Sequence, residues 1–425
     1  MPPQPRRHSP ARDGFADLRL AVISPFLDRR HGTERCLAEQ LTRFATQPDA
    51  EIHLYAQRVE DLSNVIRYPA RSSGCIVWHR VPRLGGPHLF GYIWWFLANH
   101  LQRWWDRNVR GLKFDLLYSA GINAFDADAI SIHVIFGEFY RRVRTSLRYR
   151  DASVYSWPVI LHRRVYYRLI CWLEKRVYPH SRISLTGISQ HTATFARELF
   201  QRADVIVIRY GVDTKIFHPR TCSERRKSSR TALRILPGEF CLLLIGNDWK
   251  SKGLSSLLQA ISANPEIPFR LLVVGKDDHR GHAETIRTLH LTSKVSLLKS
   301  SPDVIQFYAA ADIYVGPSLE DAYGLPILEA MACGLPVIAS VRAGASEIIR
   351  DGENGLLLHD PENSRELAGL LGRLYSDRAF REKLADEAVR TAAGESWDRN
   401  AASTWEFLKV VYARKAQLSR FSAGT

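Results

Sequence analysis

The chain has 425 residues, 45% apolar and 24% charged, enough apolar side chain to fill two or three domain cores. A net charge of +15 implies an anionic partner, whether a nucleotide phosphate, nucleic acid or an acidic membrane surface. Cys36, Cys75, Cys171, Cys222, Cys241 and Cys333 form no C-x-x-C pair, which argues against a zinc ribbon or a disulfide scaffold and fits a reducing compartment.

Residues 1–17 read as a disordered basic arm without the apolar core of a secretory signal, so the expected location is the cytoplasm. Residues 18–26 (L-R-L-A-V-I-S-P-F) are an apolar run of the kind a buried parallel strand shows. A loop with Gly32 and a helical pattern over 34–44 complete a βα unit. Apolar runs at 128–135, 183–188 and 205–208 extend this to an N-terminal α/β domain over 18–218. The stretch 219–236 is polar and basic, has no period, and reads as an interdomain linker.

Strands predicted at 240–246, 270–275, 295–299, 313–317 and 336–339 then alternate with helices at 254–263, 283–289, 304–310 and 327–333, a second domain over 237–395. Such alternation argues a parallel sheet with helices on both faces. Two such domains create a cleft between the carboxyl edges of their sheets, where ligands of this architecture bind. The longest apolar run, residues 91–98, falls far short of the roughly 20 residues that span a bilayer.

The stretch E-D-A-Y-G-L-P-I-L-E-A-M-A-C-G-L-P-V-I-A-S, residues 320–340, sets Asp321 and Glu329 on either side of a glycine turn where an apolar helix begins. Pro326 suits the first helical position, Gly324 lets backbone approach a ligand, and a helix N-terminus favours phosphate. The carboxylates are suited to hydroxyls instead. A phosphate cradle flanked by carboxylates describes a sugar-nucleotide site, with Asp321 on the sugar and Glu329 on the ribose. The plainer alternative is a loop carboxylate and a solvated helix residue. Lys252, in G-N-D-W-K-S-K-G-L, can reach a diphosphate as a point charge, and Lys250 is a weaker candidate.

These motifs resemble those of the retaining GT-B glycosyltransferases of family 4, also called glycosyl transferases group 1, whose hallmark is E-x7-E around a G-F-G-L-P turn. The stretches at 301–318, 344–358 and 210–219 agree, and the likeness runs over about 20–374. The resemblance implies two Rossmann-like domains facing each other across a cleft. It also implies transfer of a sugar from a nucleotide-sugar donor to an acceptor hydroxyl with retention, without metal or other cofactor. The donor set it implies is Gly32, Asn247, Lys252, Leu298, Tyr323, Gly324, Leu325 and Glu329; the catalytic set is His133, Asp321 and Glu329. Asn247 stands where the family usually has arginine, and Asp321 is one methylene shorter than the usual glutamate. As in similar chains, residues 407–411 of a last helix, over 396–425, are expected to return to the first domain.

His133, at the end of an apolar strand, would otherwise read as a satisfied core residue; the resemblance places it at the donor sugar's reacting face. Asp126-Ala127-Asp128 mimics a metal-binding D-x-D but is read as a loop. Two aromatic–basic stretches, 87–107 and 157–178, have helical spacing that suits core-facing helices and also an anionic membrane surface at the inner face. Nucleic acid is disfavoured, because the basic residues are spread. The expected acceptor is a saccharide or a lipid-linked one, in polysaccharide, lipopolysaccharide or glycolipid synthesis. The rivals are a sugar-nucleotide epimerase of similar shape and a catalytically silent sugar-nucleotide-binding scaffold.

Overall fold

The computed structural model describes residues 18–29, 32–47, 50–60, 62, 76–143 and 157–423. The basic arm, Arg30, His31 and Cys75 lie outside them. Two compact units emerge. One runs to Gly187 and adds Thr192–Ile208 and the residues from Ala401 on; the other comprises Ile188–His191 and Arg209–Asn400.

In the first unit the strands are β1 (Leu18–Ile23), β2 (Phe26–Leu27), β3 (Ala50–Ala56), β4 (Arg58–Val59), β5 (Ile76–Arg80), β6 (Leu116–Ala120), β7 (Ala129–Ile132), β8 (Ser184–Gly187) and β9 (Ile206–Val207). Its helices are α1 (Gly32–Phe44), α2 (His88–Asn108), α3 (Phe136–Val143), α4 (Trp157–Val177) and most of α5 (Gln190–Phe200). The main sheet is parallel, in the order β5-β3-β1-β6-β7-β8-β9. Both of its faces are buried, which is why its strands read as continuous apolar runs.

The second unit opens with α6 (Pro219–Ala232) and continues through β10 (Phe240–Ile245), α7 (Leu254–Ser262), β11 (Phe269–Val274), α8 (Arg280–Thr288), β12 (Val295–Leu298), α9 (Ile305–Ala310), β13 (Ile313–Gly316), α10 (Leu325–Ala332), β14 (Val337–Ser340), β15 (Leu356–Leu358), α11 (Ser364–Ser376) and α12 (Arg378–Ala393). Its sheet is parallel, in the order β12-β11-β10-β13-β14-β15. Leu242 of β10 stands opposite Leu271 and Ile313, and all three join Leu257, Leu258 and Ile261 of α7 in one core. Helix α13 (Trp397–Ala423) begins in this unit and continues in the first, where Phe407, Leu408 and Val411 pack with Leu20, Leu41 and Leu54.

The linker reading of 219–236 is corrected. Residues Pro219–Ala232 are helical, His218 Nδ1 caps them by accepting from the Arg220 N–H at 3.1 Å, and the second unit already begins at Arg209. The helix docks by charge, so it has no apolar period. Arg226 pairs with Asp312, and Arg230 reaches the same carboxylate at 3.2 Å. Asp312 also accepts the Cys241 N–H at 2.7 Å, which ties α6 to the first residues of β10. Replacing Asp312 with alanine takes the counter-charge from two guanidinium groups and the partner from a strand N–H, so the second unit should lose about 2–4 kcal/mol in urea unfolding. An unchanged unfolding midpoint would show that α6 is held by something else.

Candidate functional site

The strand order of the second unit reverses at β10, which lies between β11 and β13. In doubly wound sheets the carboxyl edge at such a reversal is the ligand-binding crevice. Two loops meet there, residues 246–253 after β10 and 317–324 after β13. Lys252 Nζ and the Asp321 carboxylate form an ion pair between them, with side chains only 21% and 16% exposed.

Glycines make that approach possible. Gly253 precedes α7 with φ 76°, and a Cβ there would sit 1.9 Å from the Pro317 carbonyl oxygen. A Cβ on Gly246 would lie 2.8 Å from Lys252 Cε, so the lysine stem folds back across bare backbone. Asp248 steadies the loop, its carboxylate accepting the Ser251 N–H at 3.2 Å and its carbonyl the Lys252 N–H at 3.0 Å. Asn247 is exposed, and its side-chain oxygen accepts the Lys276 N–H at 2.8 Å, tying this loop to the one after β11. Leu298 ends β12, and its carbonyl accepts the Gly275 N–H at 3.0 Å.

The other loop is equally constrained. The Asp321 carbonyl accepts the Gly344 N–H at 3.1 Å, and its side chain accepts the Tyr323 N–H at 3.3 Å. The Tyr323 ring is buried 4.7 Å from that of Tyr210, and its hydroxyl donates to the Tyr210 carbonyl at 3.1 Å. Tyr323 therefore offers this edge its backbone, while its ring anchors the loop. Gly324 takes φ 88° before α10, which starts at Leu325 rather than near residue 327. Pro326 thus sits at the second helical position, where its missing N–H has no intrahelical partner to lose.

Glu329 is 5% exposed and accepts the Tyr308 hydroxyl at 2.6 Å, which excludes the solvated-helix alternative. Burial and this carboxylate hold the Tyr308 phenol well above its ordinary range. Tyr308 lies on α9, 21 residues before its partner, and no local pattern announces the contact. Lys252 and Asp321 therefore meet at one edge of the sheet, with Glu329 on the helix that follows: a cation with two carboxylates. Such a group can hold a phosphate and accept from diols at the same time.

Gly32 and His133 belong to the first unit. Gly32 is the first residue of α1. His133 directly follows β7 and is 5% exposed, and burial pushes its imidazole down to about 3, so the ring is neutral at pH 7. Glu174 accepts the Phe136 and Gly137 N–H groups at 2.7 and 2.9 Å and caps α3. Burial raises the Glu174 carboxyl to about 7. Asp126 is claimed by Arg103 at 2.6 Å, and Asp128 by Lys415 at 2.8 Å and the Leu117 N–H at 2.8 Å, so the D-A-D loop has structural work. No group of three or more His, Cys, Asp or Glu among the described residues could hold a metal ion.

Two doubly wound parallel sheets with these loops define a GT-B fold. Over 91% of this chain and 98% of its own, the glycosyltransferase WaaG, involved in lipopolysaccharide biosynthesis, has a similar structure, with a TM-score of 0.72 at 18% identity. The Anabaena protein HepE in complex with UDP-glucose is similar over 92% of this chain and 100% of its own, with a TM-score of 0.67 at 19% identity. Residues 225–391 match the family Glycosyl transferases group 1. D-inositol 3-phosphate glycosyltransferase of Rhodococcus erythropolis is 33% identical over 207 residues, 46% of each chain, so the match spans about half of that curated relative.

The first unit should weaken in acid. Burial pushes His79 down to about 4 and lowers His53 as well, so with His133 three buried imidazoles stay neutral when folded. Unfolded, each binds a proton below its ordinary value of 6.5, so unfolding takes up protons and stability falls as the pH drops from 6.5 toward about 4 and about 3. Glu174 acts in the opposite sense, one group against three. Urea unfolding followed from pH 7.5 to about 5 should show a falling midpoint. A His133 ring that titrates by NMR near 6.5 would contradict its burial.

Proposed function

We propose that the protein transfers a sugar from a nucleotide-sugar donor to an acceptor hydroxyl with retention. The reading is supported above all by the Lys252–Asp321 pair at the β10/β13 reversal, with Glu329 on the helix that follows. A paired lysine and aspartate are together neutral, a poor trap for a diphosphate alone. They suit a ligand that is anionic at one end and rich in hydroxyls at the other.

Lys252 is assigned to the diphosphate, Asp321 to the sugar and Glu329 to the ribose. The backbone of Asn247, Leu298, Tyr323, Gly324 and Leu325 lines the donor. Gly32 is assigned to the donor diphosphate and the acceptor, and His133 to the sugar's reacting face. His133, neutral at pH 7, can accept or donate one hydrogen bond there without adding charge. In the transfer the bond from C1 to the diphosphate breaks, and a bond from C1 to the acceptor oxygen forms on the same face. The hydroxyl proton passes to the departing phosphate oxygen. No metal enters this scheme. A saccharide or lipid-linked acceptor, and peripheral contact with an anionic membrane surface, belong to the same proposal.

UDP-glucose, which the Anabaena neighbour holds, is the first donor to test, within a panel of sugar nucleotides screened by thermal shift. Glu329→Gln keeps an acceptor for the Tyr308 hydroxyl but removes the charge, and donor affinity should fall about tenfold or more with the fold intact. Lys252→Ala should weaken nucleoside diphosphate and sugar nucleotide alike, by about tenfold or more. Wild-type donor affinity in both variants would remove the site assignment. Product NMR of the new anomeric linkage tests retention, and an isomerised donor formed without acceptor would establish the epimerase instead.

A further inference from the structure

Helix α2 exposes an apolar stripe, and it buries polar residues beside its apolar inward positions Leu89, Trp95, Phe96 and Ala98. Its inward positions include Asn99, Arg103 and Asp106, all buried, with Arg103 bonded to Asn99 and Asp126, and Asp106 to Tyr55 and Arg110. Its outward stripe is Phe90, Trp94, Leu97, Leu101 and Trp104, at steps of four, three, four and three residues. Leu97, Leu101 and Trp104 are 55%, 64% and 59% exposed. The outer stripe of a water-facing helix is ordinarily polar.

Helix α4 also exposes apolar residues, Trp157, Leu161, Val165 and Trp172. The two helices meet where the Leu89 N–H donates to His162 Nε2 at 3.2 Å and the Tyr92 ring packs 5.9 Å from Tyr166. Phe90 continues the contact, its ring 6.4 Å from His162. An apolar area of this extent marks an interaction surface.

Charge identifies the occupant. Arg107, Arg163, Arg168, Lys175 and Arg176 are exposed on these two helices, whereas their acidic residues, Asp106 and Glu174, are both buried. A second copy placed face to face would set these cations against their own kind. A lipid surface with anionic headgroups pairs with them and takes the aromatic and aliphatic stripe into the headgroup boundary. The helices would lie on the surface: among the described residues none is long and apolar enough to cross a membrane.

We propose that the joined outer faces of α2 and α4 dock on an anionic lipid bilayer. This makes the membrane contact specific to one surface and stands apart from the assignment of the donor residues, because docking is measured with no sugar nucleotide present.

The test is co-sedimentation of the full chain with vesicles of phosphatidylcholine alone and with about 30 mol % phosphatidylglycerol. Binding is expected to the anionic vesicles and to fall as salt rises from about 0.1 M to about 1 M. L97S/L101S/W104S, at exposed positions, should weaken it about tenfold or more. R163Q/R168Q/K175Q should abolish the preference for anionic lipid. Circular dichroism and an unchanged donor thermal shift check that both variants fold. The proposal is overturned by no binding to anionic vesicles, by equal binding to both kinds, or by variants that bind as wild type does. Self-association that L97S/L101S/W104S abolishes, without vesicle binding, would give the face to a second copy instead.

Discussion

The second unit's site depends on a single topological constraint, that β10 and β13 are neighbours while the chain between them makes two excursions to the other side. Adjacent parallel strands whose connections leave in opposite directions must leave a gap at their carboxyl ends. Lys252 and Asp321 fill that gap from the two loops that border it. The contact is long-range, 69 residues apart in the chain. Gly253 is the point at which the two backbones touch, and only a residue without a side chain fits against the Pro317 carbonyl.

Around that contact the polar groups are held by second partners. Tyr308 fixes Glu329, the 342–344 segment fixes the Asp321 backbone, and Tyr210 fixes Tyr323. Elsewhere in the unit, Glu347 receives the Gln190 and His191 N–H groups at 2.7 and 2.6 Å, a carboxylate set against the positive end of α5. Pre-positioned carboxylates lose little freedom when a ligand's hydroxyls arrive.

Much of this was legible beforehand. The second unit's strands are buried on both faces, so each reads as a short apolar run between turn residues, and the E-D-A-Y-G-L-P stretch identifies its own turn. The edge at which Lys252 meets Asp321 follows from placing those runs in sequence. Other features were hidden. Strand β3 carries Glu51 and His53 within A-E-I-H-L-Y-A, and His53 is buried through bonds to His79 at 2.8 Å and Glu51 at 3.0 Å, so a polar residue disguised a core strand. Helix α6 was hidden by the opposite device, arginines in place of an apolar stripe. Tyr308 was invisible because its meaning lies wholly in a residue on another helix.

Helix α13 has a consequence for how the protein is made. Gln40 Nε2 donates to Thr404 Oγ1 at 3.0 Å across 364 residues of chain, and Leu408 sits at the centre of the core that β1 and α1 begin. The amino-terminal unit therefore stays unfinished on the ribosome until the whole of the other unit has been translated. Its apolar sheet waits partly uncovered in the meantime, when nascent chains are most exposed to aggregation and most dependent on chaperones.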